Sequence, residues 1–347
     1  MALGLHPPLP PMEALSVEEI PTGQEWQYEP KWDGFRCLVF RDGDKVELQS
    51  KSGQPLTRYY PELIEAAKKL KAKTFVLDGE IVVPANGAFS FDALLQRIHP
   101  AASRIKRLAE ETPALLIAFD LLAGPDGRPL TGLSLSERRG RLEKFARTYL
   151  RDSERIRLSP TTTKLSEAKN WLKRVGSTLD GIIAKRLDLA YHSGDRAAMQ
   201  KIKNYRSADC VVGGFRYNEG KKFVGSLLLG LYDDAGLLHH VGFSSTIRRE
   251  EKPALTAKLE KLIAPPGFTG NAPGGPSRWS TKRSAEWQPL KPKLVVEVCY
   301  DHFSGDRFRH GTRLLRWRPD KAPEQCRLDQ VKQKKANLMK LLASGTA

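Results

Sequence analysis

The stretch EPKWDGFR, residues 29 to 36, sets Lys31 two places before an Asp-Gly pair and five before Arg36. A deprotonated lysine amine attacks phosphorus, whereas a lysine ahead of a turn is an ordinary polar entry to a strand. The pattern K-x-D-G-x-R alone leaves both readings open. LDGE, residues 77 to 80, lies in the β-branched run TFVLDGEIVVP, where alternation puts Asp78 and Glu80 on the face of Val76 and Val82. Two carboxylates in so apolar a strand are costly to bury unless they hold a cation or accept hydrogen bonds; the other reading is a strand end facing solvent. DGIIAK puts Asp180 ahead of an apolar run and Lys185 inside it. In MQKIKN, Lys201 and Lys203 share one strand face, which repulsion disfavours unless a polyanion such as a triphosphate, or water, faces them. In RFRHGTRLLRWRPDK, Arg307, Arg309, Arg313, Arg316 and Arg318 are interleaved with aromatic residues, which suits phosphate contact or an exposed edge strand.

Local patterning says which elements carry these side chains. FRCLVFRDGDKVELQS reads as a hairpin turning at Asp42-Gly43-Asp44. YYPELIEAAKKLK places Leu63, Ala66, Ala67 and Leu70 at helical spacing. SFDALLQRI reads as a short helix capped by Ser90, ALLIAFDLL as a buried strand, and SLSERRGRLEKFARTYL as a strongly basic helix. DGIIAKR and MQKIKN are short strands. Near Ser207 the texture becomes a β-meander, interrupted by the helix REEKPALTAKLEKLI and a basic Pro, Gly and Ser-rich loop at 264–293. Five or so short strands with one helix suit a small oligonucleotide-binding barrel. The expected domains are 1–206 and 207–347, with a flexible joint at 204–208.

Lysine and arginine number 57 against 40 acids, a formal charge of +17, which points to a polyanionic partner, nucleic acid first, or to a merely basic enzyme. Cys37, Cys210, Cys299 and Cys326 stand singly, with no CxxC pair or zinc spacing, and read as reduced packing residues. No apolar run has the length of a membrane span, and MALGLHPPLPPMEAL lacks the basic start of a signal peptide, so a cytosolic chain is expected.

In order, KWDGFR, SKSG (50 to 53), LDGE, AFDLL (118 to 122), DGIIAK, KIK (201 to 203) and RPDK (318 to 321) resemble the motif series of covalent nucleotidyltransferases, specifically ATP-dependent DNA ligases. The resemblance runs over residues 29–321 and is strongest to the compact bacterial C type and to the ligase domain of the D type. It implies an α+β fold: an N-terminal nucleotidyltransferase (adenylation) domain of antiparallel sheets with flanking helices, and a C-terminal OB-fold β-barrel. It implies that Lys31 takes up AMP from ATP, with Glu29 close to the adenine, Arg36 near the ribose and the nick phosphate, and Phe119 stacked on the base. Glu80 and Asp180 would serve the ribose and a divalent metal, Mg2+ or Mn2+. Lys185, Lys201 and Lys203 would gather the α-phosphate, and Arg318, Asp320 and Lys321 would orient the departing pyrophosphate. Cations around Lys31 (Arg36, Lys185, Lys201 and the metal) would favour its neutral amine.

Two positions depart from the family pattern. Asp180 stands where glutamate is usual, one methylene shorter, and Lys51, at a nucleotide-binding position, replaces an arginine and its two-pronged fork. The implied substrate is nicked duplex DNA, contacted through the basic helix 134–151, the stretch RIKR at 104–107 and the loop 278–283. Ku or primase-type polymerase repair proteins are the implied partners of a monomer with no membrane association. RNA ligases and capping guanylyltransferases share the lysine and carboxylate motifs, but Trp32, AFDLL and RWRPDK look like DNA ligases. A non-catalytic nucleic-acid-binding protein fits poorly with the retention of every expected lysine.

Overall fold

A glycine turn builds the first hairpin. The structure, a computed structural model, describes residues 3–175, 179–218, 220, 223–274, 286–332 and 337–343. Strand β1 spans Leu15–Val17 and β2 Trp26–Lys31; β3 (Phe35–Asp42) then turns into β4 (Lys45–Ser50). Asp42 pairs with Lys45, leaving Gly43 and Asp44 as a two-residue loop. Gly43 lies at φ +62°, a conformation of II′-type hairpin turns that glycine adopts without steric penalty. Helix α1 (Pro61–Lys69) follows with Leu63 and Ala67 buried, and β5 (Thr74–Val82) returns beside β3. A small hairpin of β6 (Pro84–Ala85) and β7 (Ala88–Phe89) leads to helices α2 (Phe91–Gln96) and α3 (Ala102–Glu111). The Ser90 hydroxyl caps α2 by accepting the Ala93 N–H at 3.1 Å. After β8 (Leu115–Ala123) come α4 (Leu135–Phe145), β9 (Ile156–Leu158), α5 (Leu165–Val175), β10 (Gly181–Arg186) and β11 (Met199–Lys203). A capping box of Ser134 and Glu137 starts α4.

These strands form two sheets, β4-β3-β5-β8-β9 and β1-β11-β10-β2. Only β8–β9 and β1–β11 pair in parallel in them. Strand β5 divides the layers between them. Leu77 and Ile81 enter one core with Phe75, Leu116 and Phe145, whereas Val76 joins Leu38, Phe40 and Met199 and Val82 joins Trp26, Trp32 and Ile182. Period-two alternation therefore turns Asp78 and Glu80 toward the second sheet.

The contacts divide the chain into two compact units, Met1–Asn204 with Lys334–Ala347, and Tyr205–Gln333. The second unit runs β12 (Arg206–Tyr217), β13 (Val224–Tyr232), β14 (Leu238–Ser244), α6 (Lys252–Glu260), β15 (Gln288–Pro289), β16 (Val295–Tyr300), the hairpin β17–β18 (Phe303–Ser304, Arg307–Phe308) and β19 (Arg313–Trp317). Its main sheet has the order β14-β13-β12-β16-β19, with β15 on β12, and every ladder in it is antiparallel.

The main sheet of the second unit is open along one seam, as in a partly open oligonucleotide-binding barrel: among the described residues a single bridge, Ser244 to Thr312, links the end of β14 to the residue just before β19. The next amide, Leu314 N–H, goes to the Thr246 hydroxyl at 2.8 Å instead of to a backbone carbonyl, so no ladder propagates there. One expectation needs correction: the second domain does not keep the whole C-terminus. A short helix, Leu338–Ala343, belongs to the first unit, because Leu338 and Leu342 are buried with Trp26, Trp32 and Trp171 and the Leu338 N–H donates to the Gly87 carbonyl at 2.9 Å. All four cysteines are free and buried. No helix among the described residues is long and apolar enough to cross a membrane.

Candidate active site

A pocket of about 180 Å³ opens between the two sheets of the first unit, lined by Glu29, Lys31, Arg36, Lys51, Glu80, Phe119, Lys185 and Lys201. Lys31 ends β2 opposite Gly181, the first residue of β10. That register brings Asp180 against the nucleophile candidate, whose ammonium donates to the Asp180 carboxylate. The sequence reading gave Lys31 only cations and a metal for neighbours; the structure adds this anion. Two glycines make the approach possible. Gly181 lies at φ +150°, and a Cβ there would meet the Ile202 carbonyl oxygen at 1.9 Å; a Cβ on Gly34 would meet the Ile81 carbonyl oxygen at 2.1 Å. Close backbone packing thus dictates the glycine of each Asp-Gly pair.

Three of the pocket cations meet separate carboxylates, Lys31 with Asp180, Arg36 with Asp78 and Lys185 with Glu29. Arg36 donates through Nε and Nη2 to the two Asp78 oxygens, both at 2.5 Å. Asp78 is fully buried and also accepts the Tyr191 hydroxyl at 2.7 Å, so it backs Arg36 and does not itself line the pocket. Burial lowers the Arg36 guanidinium, but the charge and hydrogen bond of Asp78 raise it by more. Lys185 donates to Glu29 at 2.8 Å, and Gln27 Nε2 donates to the same carboxylate at 3.0 Å. The Arg36 guanidinium and the Lys185 ammonium lie 4.6 and 4.5 Å from the Phe119 ring centre, within cation–π range. Lys201 is lowered by burial and then by Lys31, Lys51 and Lys203.

Burial pushes the Glu80 carboxyl up to about 7, against the pull of Arg36 and Lys31 and with the push of Asp33 and Asp78. The carboxylate oxygens of Glu80 and of Asp180 are hard donors of the kind Mg2+ or Mn2+ takes. Their donor chemistry suits the metal role that the family resemblance implies for them.

Not every expected residue lines this pocket. Lys203 shares the strand face of Lys201 but lies beyond the pocket lining. Arg318 and Lys321 belong to the second unit, where both meet Asp209, at 3.0 and 2.6 Å, and Arg318 also meets Asp320 at 2.8 Å. The basic helix is partly structural. Arg138 is buried against Asp120 at 2.9 Å, and Arg139 donates to Glu143 at 2.8 Å and to the Ser159 carbonyl at 3.1 Å; Arg141, Lys144 and Arg147 remain exposed. In RIKR, Ile105 is buried and Lys106 and Arg107 are exposed. The loop 278–283 lies outside the described residues.

Sequence reasoning missed the N-terminal arm. Pro11, Met12, Glu13 and Ala14 line the pocket, and Glu13 pairs with Lys51 at 3.1 Å and Arg196 at 3.0 Å. Gln49 and the Leu9 backbone exchange two hydrogen bonds, at 2.8 and 2.7 Å, while the Met12 N–H donates to the Tyr191 hydroxyl at 2.9 Å. The available signal was the apolar content of the Pro-rich opening, since Leu3 and Met12 are buried.

Comparison with known proteins bears on this arrangement. The family model described as "ATP dependent DNA ligase domain" matches residues 11–203, and "ATP dependent DNA ligase C terminal region" matches residues 220–321. The chain is 46% identical to DNA ligase C2 of Mycolicibacterium smegmatis over 348 residues, which covers 95% of this chain and 96% of that one. It is 31% identical over 307 residues to the multifunctional non-homologous end joining DNA repair protein LigD of Mycobacterium tuberculosis, covering 87% of this chain and 37% of that protein. A solved structure of a Lig E DNA ligase aligns with TM-score 0.54 at 17% identity, over 88% of this chain and 100% of that one, a likeness of fold.

Proposed function

The chain belongs to the ATP-dependent DNA ligases, which seal nicks at the expense of ATP, and from that premise we propose that Lys31 is the residue that carries AMP between ATP and DNA. The observation behind this assignment is the placement of Lys31 at the end of β2, in a pocket it shares with Arg36, Glu80, Phe119, Lys185 and Lys201. Lys31 Nζ, having lost its proton, attacks the α-phosphorus; an N–P bond forms, the bond to the β-phosphate oxygen breaks and pyrophosphate leaves. An oxygen of the DNA 5′-phosphate then takes AMP from Lys31, breaking the N–P bond. The 3′-hydroxyl finally attacks the adenylated 5′-phosphorus and AMP departs. Each transfer is in-line, so positioning and charge neutralisation carry most of the catalysis.

Phe119 offers its ring face to the adenine, and Glu29, held by Gln27 and Lys185, is the polar group beside it. Arg36, fixed from behind by Asp78, serves the ribose and the nick phosphate. Lys185, Lys201 and Lys203 gather the α-phosphate with help from Lys51, while Arg318, Asp320 and Lys321 act on the pyrophosphate. Glu80 and Asp180 would hold Mg2+ or Mn2+, which supplies charge neutralisation at phosphoryl oxygens when bound. The likeness to an end-joining repair protein supports a task in DNA repair and recombination, with Ku or a primase-type polymerase delivering the break to a cytosolic monomer.

The test uses ATP labelled at the α- or at the γ-phosphate, followed by denaturing gels of wild type and Lys31→Ala and a chase with nicked duplex. Label retained from the α-position alone, absent in the variant and discharged as the nick seals, is the expected outcome. Equal labelling of Lys31→Ala would overturn the assignment.

A further inference from the structure

We propose that Asp209 is a positioning residue for the first chemical step, holding Arg318 and Lys321 as one preset pair. The inference rests on the reading above, in which these two cations act on the departing pyrophosphate. Asp209 lies within β12, paired with Glu297 of β16, and its backbone is clamped by one side chain: its N–H donates to Gln330 Oε1 at 3.1 Å, and Gln330 Nε2 donates to its carbonyl at 3.3 Å. From this fixed base the carboxylate receives both cations. Oδ1 accepts Arg318 Nη1 at 3.0 Å and Oδ2 accepts Lys321 Nζ at 2.6 Å, across 109 and 112 residues of sequence. The remaining edge of the Arg318 fork is taken by Asp320, through Nε at 3.0 Å and Nη2 at 2.8 Å.

Arginine and lysine are long side chains that lose much rotamer freedom when ordered. A rigid, shared anion removes that freedom before nucleotide arrives, which lowers the cost of organising the site in the reaction. The geometry also leaves the pair usable. Arg318 and Lys321 keep 19% and 22% of their side-chain surface open, whereas Asp209 keeps 12%, so the anion is the inner member and the cations face outward. An aspartate spent only on stability has no need to join two separate cations of the RPDK turn.

The experiment separates the step that needs ATP from the step that does not. Lysyl-AMP formation is followed in single turnover over a range of ATP concentrations, and sealing is followed with a nick already adenylated at its 5′ end. Asp209→Asn is expected to slow lysyl-AMP formation by about tenfold and to raise the apparent KM for ATP, while sealing of the adenylated nick stays within about twofold of wild type. Asp209→Glu, which keeps the charge, recovers part of the loss. Equal losses in both assays would reduce Asp209 to a structural residue and overturn the proposal, as would unchanged lysyl-AMP formation. Arg318→Ala is run beside it: if that variant forms lysyl-AMP normally, the assignment of Arg318 to pyrophosphate fails first; if it is slow while Asp209→Asn is normal, only the positioning role fails.

Discussion

The two units balance their clustered cations in different ways. In the first, Arg36 has Asp78, Lys185 has Glu29 and Lys31 has Asp180, one carboxylate for each of these three cations, with Asp78 and Glu29 almost wholly buried, while Lys51 shares Glu13 with Arg196. In the second, Arg318 and Lys321 share Asp209, and the extra partner of Arg318, Asp320, is largely exposed. Dedicated buried partners fix each side chain independently and make each pair costly to break. A shared partner couples two side chains to one strand, and the cations it holds stay in part exposed. The difference suits a pocket that must stay formed in the first unit and a cation pair that needs only a preset spacing in the second.

The contrast is broken most directly in the first unit. Asp78→Asn leaves the Arg36 fork without its counter-charge at a fully buried position, and a loss of about 3 kcal/mol in urea unfolding is expected. The same exchange at Asp209 should change stability far less. Comparable losses from the two variants would erase the distinction between dedicated and shared partners.

Acid sharpens the comparison with a smaller effect. In the second unit, burial and then Arg307 and Arg216 push the His240 imidazole down to about 4. Unfolding frees it to bind a proton near its ordinary value, so between about pH 6.5 and pH 4 the unfolded state holds more protons and stability falls as pH falls. With allowance for the partial exposure of the ring, about 1 to 2 kcal/mol should be lost by about pH 5. Glu80 in the first unit has the opposite sign. Its carboxyl lies near 7 when folded, so without metal its contribution improves as pH falls from about 7 toward 4.5. Urea titrations of wild type and His240→Gln with chelator present measure the first term: the variant should lose part of the acid sensitivity, and an unchanged pH slope would contradict the His240 account.

Much of the pocket was legible because its signals are local. Alternation placed Asp78 and Glu80 on the face of Val76 and Val82, and spacing put Lys201 and Lys203 on one strand face, whereas the close backbone approaches at Gly34 and Gly181 emerge only from the fold. The supporting residues left no such trace. Tyr191 reaches Met12 across 179 residues and Asp78 across 113, and Asp209 reaches Lys321 across 112; neither carries a periodic pattern that points to its partner. Charge pointed to the right class of partner but not to which cations meet it. Arg41, Arg97 and Arg138 are fully buried, bound to backbone carbonyls or acids, so these basic residues serve the interior.

The central claim is the identity of the residue that takes AMP. Protein incubated with ATP and Mg2+ would be digested and its adducts located by tandem mass spectrometry. AMP on the side-chain Nζ of Lys31, and nowhere else, is the predicted result; AMP on Lys185 or Lys201, or its persistence in Lys31→Ala, would contradict the account.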